Sequence, residues 1–288
     1  MNLTAIAELA PRIRLLLRDP QLPLPVLVTG KPAAYVECFA ELMGFTQGPA
    51  RRSPVHVCEN GCVLFRYRTW NSRRLMLAPG ANGPSWRDSK RAIRRALNSL
   101  APVAAFDWTK LVALAWDLAP ATVSPHELFA EIVSRLNSAG ISAHSVALTG
   151  SETAEPEWLT WARAAGDPAV SVQRLPRPAA GALIACSPTS LDITPAPMTK
   201  ASGLAFAARL MGVPLAQTMM IGDSFTDLPA LAAAGTAVCV SNAQPEIQAF
   251  VERRGGLLLG GSDWLGVREC LDRIIINRDN SCYGNIRT

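Results

Sequence analysis

Met219-Met220-Ile221-Gly222-Asp223-Ser224-Phe225-Thr226-Asp227-Leu228-Pro229 is the stretch on which the fold turns. Met219 to Ile221 is a short apolar run of the kind that forms a buried strand. It gives way to Gly222 and Asp223, and Asp227 follows just ahead of Leu228-Pro229, where a helix can open. In open α/β sheets, ligands collect beyond the carboxyl ends of the strands. Asp223 is expected at that edge, with the turn bringing Asp227 back beside it. Two adjacent carboxylates repel unless a cation lies between them. Mg2+ suits the place, because it takes oxygen ligands and keeps waters for a phosphate-bearing substrate. The plain alternative is that Asp223 ends a strand and Asp227 caps a helix.

On either side, helix and buried strand alternate. A helix over 200–211 precedes the stretch; a strand over 237–240, a helix opened by Pro245, a strand over 257–259 and a helix over 263–275 follow it. Near the start, Leu3, Ile6, Ala10, Ile13 and Leu17 recur at helical spacing and predict a helix over 3–18, ended by Pro20, Pro23 and Pro25. Val26-Leu27-Val28 reads as a buried strand that stops at Thr29-Gly30. Pro32 opens a helix with Tyr35, Phe39, Leu42 and Met43 on one face, and a strand over 55–57 stops at Glu59-Asn60-Gly61. This alternation predicts an α/β fold, a Rossmann-like parallel sheet with helices on both faces. The middle differs: strands over 62–69 and 73–78, a basic helix over 86–100, a strand over 111–116, a helix over 125–136, strands over 145–148 and 182–185, and an Ala-, Pro- and Glu-rich stretch over 151–180 that reads as a helix with loops. An α+β cap module over 65–190 is therefore expected, inserted into a core made of 1–64 and 191–276, with a loose polar tail over 277–288.

The 288 residues, 49% hydrophobic and 18% charged, describe a folded globular chain of one large domain or two modest ones. No apolar run is long enough to cross a bilayer. The first residues mix Arg12, Arg14 and Arg18 into an apolar pattern, unlike a signal peptide. The 7 cysteines are odd in number and none has C-x-x-C spacing, so a reducing cytoplasm is expected. Of the 28 Lys and Arg residues, 9 lie between Arg66 and Arg95, where Asp88 is the single acid. That cluster is either a solvated basic face or a surface that attracts an anionic substrate. No nucleic-acid-binding motif accompanies it, so a nucleic-acid partner is not expected.

Gly222-Asp223-Ser224-Phe225-Thr226-Asp227 is similar to the acidic fourth motif of phosphatases of the haloacid dehalogenase superfamily. Ala234-Gly235 and Val240-Ser241-Asn242-Ala243 resemble its Cof-type, class IIB branch, which carries a large α/β cap. Val28-Thr29-Gly30-Lys31-Pro32 resembles the second motif, usually Thr-Gly-Arg-Pro, and Glu59-Asn60-Gly61 the turn before the cap. Asp192-Ile193-Thr194-Pro195 with Thr199-Lys200 resembles the junction carrying the motif-three lysine. Lys31 and the Gly-Gly-Ser-Asp-Trp-Leu stretch ending at Leu265 resemble the mannosyl-3-phosphoglycerate phosphatase group. Together these motifs span nearly the whole chain.

The resemblance implies hydrolysis of a small phosphorylated metabolite, a sugar phosphate, with Mg2+ at Asp223 and Asp227. It implies phosphate positioned by Thr29 and Gly30 at a helix N-terminus and charge on the transferring phosphoryl group stabilised by Lys200. Lys200 opens a helix, where a cation gains nothing from the dipole, so an anion is expected before it. A plain N-cap for Thr29 and a solvated lysine remain the alternatives. Asn242 is implied as a substrate contact, with a turn former as its alternative. Thr226 stands where the family usually has Asn.

One motif does not appear. Family members begin with a strand ending in Asp-x-Asp-Gly-Thr, whose first Asp attacks phosphorus to form an aspartyl-phosphate and whose second is the general acid and base. Nothing before Thr29 fits. A β–α–β unit needs about 30 residues, so that strand is expected upstream of Met1. Ala115-Trp116-Asp117-Leu118 imitates the motif but lacks its second Asp and its Gly. Three readings follow: a phosphatase impaired as written, a non-catalytic relative that binds a phosphorylated ligand or a protein partner, or a basic binding module acting through 66–95.

Overall fold

The computed structural model describes residues 3–47, 53–69, 72–79, 81, 84–100, 104–118, 125–145, 157–167, 170, 181–186 and 190–277. The chain is an α/β protein. β9 (Met219–Gly222), β10 (Thr236–Cys239) and β11 (Leu257–Leu258) form a parallel sheet in the order β11-β10-β9, joined through α7 (Leu228–Ala233) and α8 (Pro245–Arg253). Val238, Leu231, Ile247 and Val251 make its fully buried centre. α6 (Lys200–Met211) is buried on all sides from Lys200 to Ala208. Ala201, Gly203, Ala205, Ala207 and Ala208 make it thin enough for neighbours to pack around it. Those neighbours are β1 (Val55–Cys58), α5 (Glu157–Gly166) and α7.

The strand expected at 26–28 is reduced to one parallel bridge, Val28 with Val57. Leu27 and Thr29 spend their backbone groups on β1: Thr29 N–H donates to Val57 O, Val57 N–H to Leu27 O, and Leu27 N–H to His56 Nδ1. β1 does not continue a parallel sheet. It runs antiparallel to β2 (Val63–Thr69), which pairs antiparallel with β3 (Ser72–Leu77). The helix after Pro32, α2 (Ala33–Leu42), buries Ala33, Val36 and Ala40; of the face expected, Met43 is buried and Phe39 packs against the core, while Tyr35 and Leu42 are exposed. The alanines let the helix lie close, while Tyr35 stacks with Phe39 and is 46% exposed. α1 (Leu3–Arg18) packs on α9 (Asp263–Ile276) as an amphipathic helix, tied by Arg12 Nε to Asp272 at 2.6 Å.

A second, five-stranded sheet has the order β4 (Ala104–Phe106), β5 (Leu114–Leu118), β8 (Ser190–Pro195), β7 (Ala182–Cys186), β6 (Ala143–Ser145), antiparallel except for β6 with β7. One face packs Leu114, Trp116, Leu191 and Ile193 against Ile93 and Leu97 of α3 (Pro84–Leu97) and Ile132 and Leu136 of α4 (Pro125–Ser138). The other face carries Ala115, Asp192 and Ala185 side by side in register, with Thr194 next along β8. Leu183 on this face joins Leu159, Ala162, Ala201 and Ala232, so the face is turned toward α6 and α7. β4 and β8 were not expected as strands, and the strand expected over 111–116 lies over Leu114–Leu118. The cause of that shift is Glu59, which holds the N–H groups of Leu111, Val112 and Ala113. The turn at Trp70-Asn71, the continuation of the strand expected over 145–148, most of 151–180 outside α5, and the tail from 278 lie outside the described residues. Among the described residues, no helix is long and apolar enough to cross a membrane.

Candidate active site

At the end of β9, Gly222 leaves the space that Asp227 fills: a Cβ there would come within 2.5 Å of the Asp227 Cβ. Asp227 begins α7 but does not cap it with its side chain. The carboxylate instead folds back onto the strand end. Its Oδ2 accepts from the N–H of Asp223 at 3.2 Å and of Ser224 at 3.3 Å, and from Ser224 Oγ at 3.0 Å. Its Oδ1 accepts from Lys200 Nζ at 2.7 Å. The same ammonium donates to Thr226 Oγ1 at 3.1 Å. Both members of the Lys200–Asp227 pair are buried, with side chains 8% and 9% exposed. Burial opposes the charge on Asp227, but Lys200 and these hydrogen bonds outweigh it and hold its carboxyl below the usual carboxylate range. Asp223 is pushed the other way, first by burial and then by the charge of Asp227.

A glycine contact brings the 59–61 turn to this pair. Gly203 of α6 meets Gly61 so closely that a Cβ on Gly203 would lie 2.5 Å from the Gly61 Cα. Glu59, Asn60 and Gly61 all have positive φ, and the tight turn seats Asn60 beside the start of α6. Asn60, Thr199, Lys200, Thr226 and Pro229 line a cavity together with Asp192, Thr194 and Ala185 of the five-stranded sheet. Asn60 also carries Thr29 and Gly30 toward the cavity: its N–H donates to Thr29 O at 3.2 Å, and its side chain packs on Gly30. The Thr29 hydroxyl accepts from Lys31 N–H at 3.1 Å, a turn that precedes α2.

The structure thus joins Lys200, Asp223 and Asp227 in one network and places Thr29 and Gly30 one residue removed from it, against Asn60. Asn242 stands apart. It is exposed, its Nδ2 donates to Asp263 Oδ1 and its Oδ1 accepts from Asp263 N–H, both at 2.8 Å, so its amide organises the start of α9. The residue that ties its loop to the site is Gln244, bonded to Asp223 O and Phe225 N–H. Asp117 is exposed on β5 and does not line the cavity.

Three groups were not singled out from sequence as site residues. Glu59, fully buried, grips three N–H groups of the 111–113 loop at 2.7–3.0 Å. Lys110, at the start of that loop, pairs with Asp192, their side chains 5% and 12% exposed. Asn60 Nδ2 is buried with no hydrogen-bond partner among the described residues. One signal was available: Asp192 interrupts the apolar run around Leu191 and Ile193, and a charged residue in a buried strand asks for a partner.

Residues 170–253, which hold Lys200, Asp223, Asp227 and Asn242, match the family model of the haloacid dehalogenase-like hydrolases. A Thermoplasma acidophilum protein superposes with a TM-score of 0.56 at 11% identity, covering 96% of this chain and 91% of its own. A subclass IIB sugar phosphatase of the haloacid dehalogenase superfamily gives 0.56 at 13%, covering 95% and 92%. The fold is that of the haloacid dehalogenase-like hydrolases. The sucrose-phosphatase of Synechocystis, solved with sucrose and phosphate, has the same fold at a TM-score of 0.51 and 14% identity, over 87% of this chain and 84% of its own. No curated protein matches in sequence.

Proposed function

We propose that this chain binds the phosphate of a small phosphorylated metabolite, of the sugar-phosphate class, at Lys200, as a cytoplasmic member of the haloacid dehalogenase-like phosphatases. In this reading residues 1–64 and 191–276 form the core and 65–190 the cap over the cavity. The observation that carries it is the Lys200 ammonium. It is buried at the cavity, two of its three N–H groups go to Thr226 and Asp227, and the third has no partner among the described residues and can meet an oxygen of the ligand. A desolvated ammonium fixed by a carboxylate behind it is suited to a phosphoryl group.

Mg2+ is the ion the fold family implies, and the donor set fits it with Asp223 as the holding carboxylate. Asp223 is a hard oxygen ligand whose charge is strained by Asp227, which a cation relieves. Asp227 has its oxygens engaged by Lys200, Ser224 and backbone N–H groups, so its part is to orient Lys200 and the strand end. Among the described residues no group of three or more His, Cys, Asp or Glu side chains surrounds one point. Waters and substrate phosphate would complete the shell, as is usual for Mg2+. When bound, the ion would neutralise charge on the phosphate.

The aspartyl-phosphate route needs one carboxylate facing phosphorus and a second to move the proton. Asp192 lines the cavity but gives one oxygen to Lys110, and Asp117 lies elsewhere. We therefore read this polypeptide as a binder of phosphoesters that turns them over slowly, since general acid–base help alone is worth ~10²–10⁴-fold. Calorimetry with inorganic phosphate tests the binding: Lys200→Met should lose it and Asp223→Asn should lose its Mg2+ dependence. A phosphatase assay over sugar phosphates tests the rest. Rapid Mg2+-dependent turnover abolished by Asp223→Asn would overturn the slow-turnover part, and phosphate affinity unchanged in Lys200→Met would overturn the site.

A further inference from the structure

Of the 9 basic residues between Arg66 and Arg95, 5 lie on α3, where Asp88 is the one acid. Trp86, Ile93 and Leu97 turn one face of this helix into the core. Trp86, Lys90 and Arg94, spaced one turn apart, run along the 108–112 segment. Trp86 Nε1 donates to Val112 O and Lys90 Nζ to Leu111 O, both at 3.2 Å. The Arg94 guanidinium lies 4.5 Å from the Trp108 ring centre. Arg87, Arg91 and Arg95, each one residue further on, form the next row around the helix, away from the core. These three and Arg94 are exposed and have no ion pair among the described residues. Beside them Trp108 is 71% and Leu111 56% exposed. One continuous surface thus has a basic flank and an apolar edge.

Like charges three and four apart on a helix repel, as Arg91 does with Arg87, Arg94 and Arg95. The helix dipole favours the last two alone, at the C-terminal end. A solvated basic face would account for the arginines but not for the indole and the leucine left in water beside them. The partner that answers all of these is anionic, offers apolar matter next to its charge, and is broad, because Trp108 and Leu111 project. A second copy of the chain would set one basic face against another. A nucleic acid would leave Leu111 unused, and one face of Trp108 is already taken by Arg94. An anionic bilayer surface meets every condition: tryptophan is favoured at headgroup depth, and each arginine near the surface adds attraction. We propose that α3 and the 108–111 segment dock the protein peripherally on an anionic lipid bilayer. Trp108 and Leu111 enter the headgroup layer, and Arg87, Arg91, Arg94 and Arg95 lie against the lipid anions. The contact is with the surface, and it is independent of the phosphate site at Lys200.

The experiment is co-sedimentation of the 288-residue chain with vesicles of phosphatidylcholine, alone or with about 30% phosphatidylserine as the anionic lipid. The wild type should bind the anionic vesicles and lose at least about tenfold in affinity between about 0.1 and 0.5 M NaCl. Neutral vesicles should bind at least about tenfold more weakly than anionic ones. Replacing Arg87, Arg91 and Arg95 together by Gln should weaken binding about a hundredfold, roughly fivefold for each charge removed. Replacing the same three by Lys keeps the charge and should stay within about threefold of the wild type. Trp108→Ala should weaken binding at least about fivefold and leave the salt dependence in place. The salt and lipid comparisons need no variant, so they decide the matter if the Gln variant does not fold. Equal binding to neutral and anionic vesicles, no binding to either, wild-type affinity in the Gln variant, or wild-type affinity in Trp108→Ala overturns the proposal. Oligo-dT bound at the same salt when anionic vesicles are not would assign the surface to nucleic acid and also overturn it. None of these outcomes bears on the phosphate titration, so the two readings fail separately.

Discussion

Lys200 with Asp227 and Lys110 with Asp192 are both ion pairs at the cavity with side chains no more than 12% exposed. They are finished in opposite senses. Asp227 accepts from Lys200, Ser224 Oγ and two backbone N–H groups, while its lysine keeps an N–H without a partner among the described residues. In the other pair, Asp192 accepts only from Lys110 among the described residues, and its second oxygen has no partner there. One pair therefore presents a cation to the cavity and the other an anion. The net worth of a buried pair is small once desolvation is counted, but breaking one is costly. What distinguishes the two is which partner has been left short of hydrogen bonds.

The largest effect expected is from Asp227→Ala. It strands the Lys200 charge and frees the strand-end N–H groups, and should cost about 3–5 kcal/mol in urea unfolding together with the affinity for phosphate. A loss below about 1 kcal/mol, the size of an exposed pair, would erase the distinction drawn above.

His56 shows what a buried titratable group does with no counter-charge. It sits between Phe45 and Phe65, its Nδ1 accepts from Leu27 N–H, and its Nε2 has no partner among the described residues. Burial lowers its pKa to about 3. The unfolded imidazole takes up a proton below about pH 6.5 and the folded one does not. Stability should therefore be full above that pH and fall by up to about 1.4 kcal/mol per pH unit until pH nears 3. The depressed pKa of Asp227 acts in a lower window: its contribution is present at neutral pH and is lost only below about pH 4. His56→Asn should flatten the unfolding curve between about pH 6 and 4 and leave the drop below it. An unchanged slope in that window would show that another group carries it.

Lys110→Met should cost less than Asp227→Ala, about 1–2 kcal/mol, because it takes one hydrogen bond from Asp192 whereas Asp227→Ala removes the four that Asp227 accepts. A cost as large as that of Asp227→Ala would make the two pairs alike. Smallest is Asn242→Ala. Its amide serves the start of α9, so stability should fall by about 0.5–1 kcal/mol with the phosphate titration unchanged. A weakened titration would restore Asn242 to the site.

The two pairs also differ in how far they could be read from sequence. Lys200, Asp223 and Asp227 lie at ends of elements whose apolar periodicity is plain, so the alternation that places the strand places them too. Asp192 and Lys110 depend on register. β8 and β4 are strands that only pairing reveals, and β5 begins three residues later than its apolar run because Glu59, far back in the chain, takes the preceding N–H groups. Val26-Leu27-Val28 has the composition of a strand but makes a single bridge, since pairing needs a neighbour as well as a sequence. On α2 the reading favoured large side chains; Met43 and Phe39 reach the core, but close packing also buries Ala33, Val36 and Ala40 and leaves Tyr35 and Leu42 exposed.

The Gly61–Gly203 contact has a meaning for mutational tolerance. A methyl group on Gly61 would lie 2.0 Å from the Thr199 carbonyl oxygen, and one on Gly203 would lie 2.4 Å from the Val57 Cγ1. Gly61 is fixed twice, by this space and by a φ of +95° that other residues rarely adopt; Gly203 is fixed by space alone. The alphabet at each position shrinks to one letter, and no neighbour can widen it, because the obstructing atoms include backbone. Random substitution across the chain should therefore leave two silent columns at positions 61 and 203, although neither residue has a side chain with which to touch a ligand.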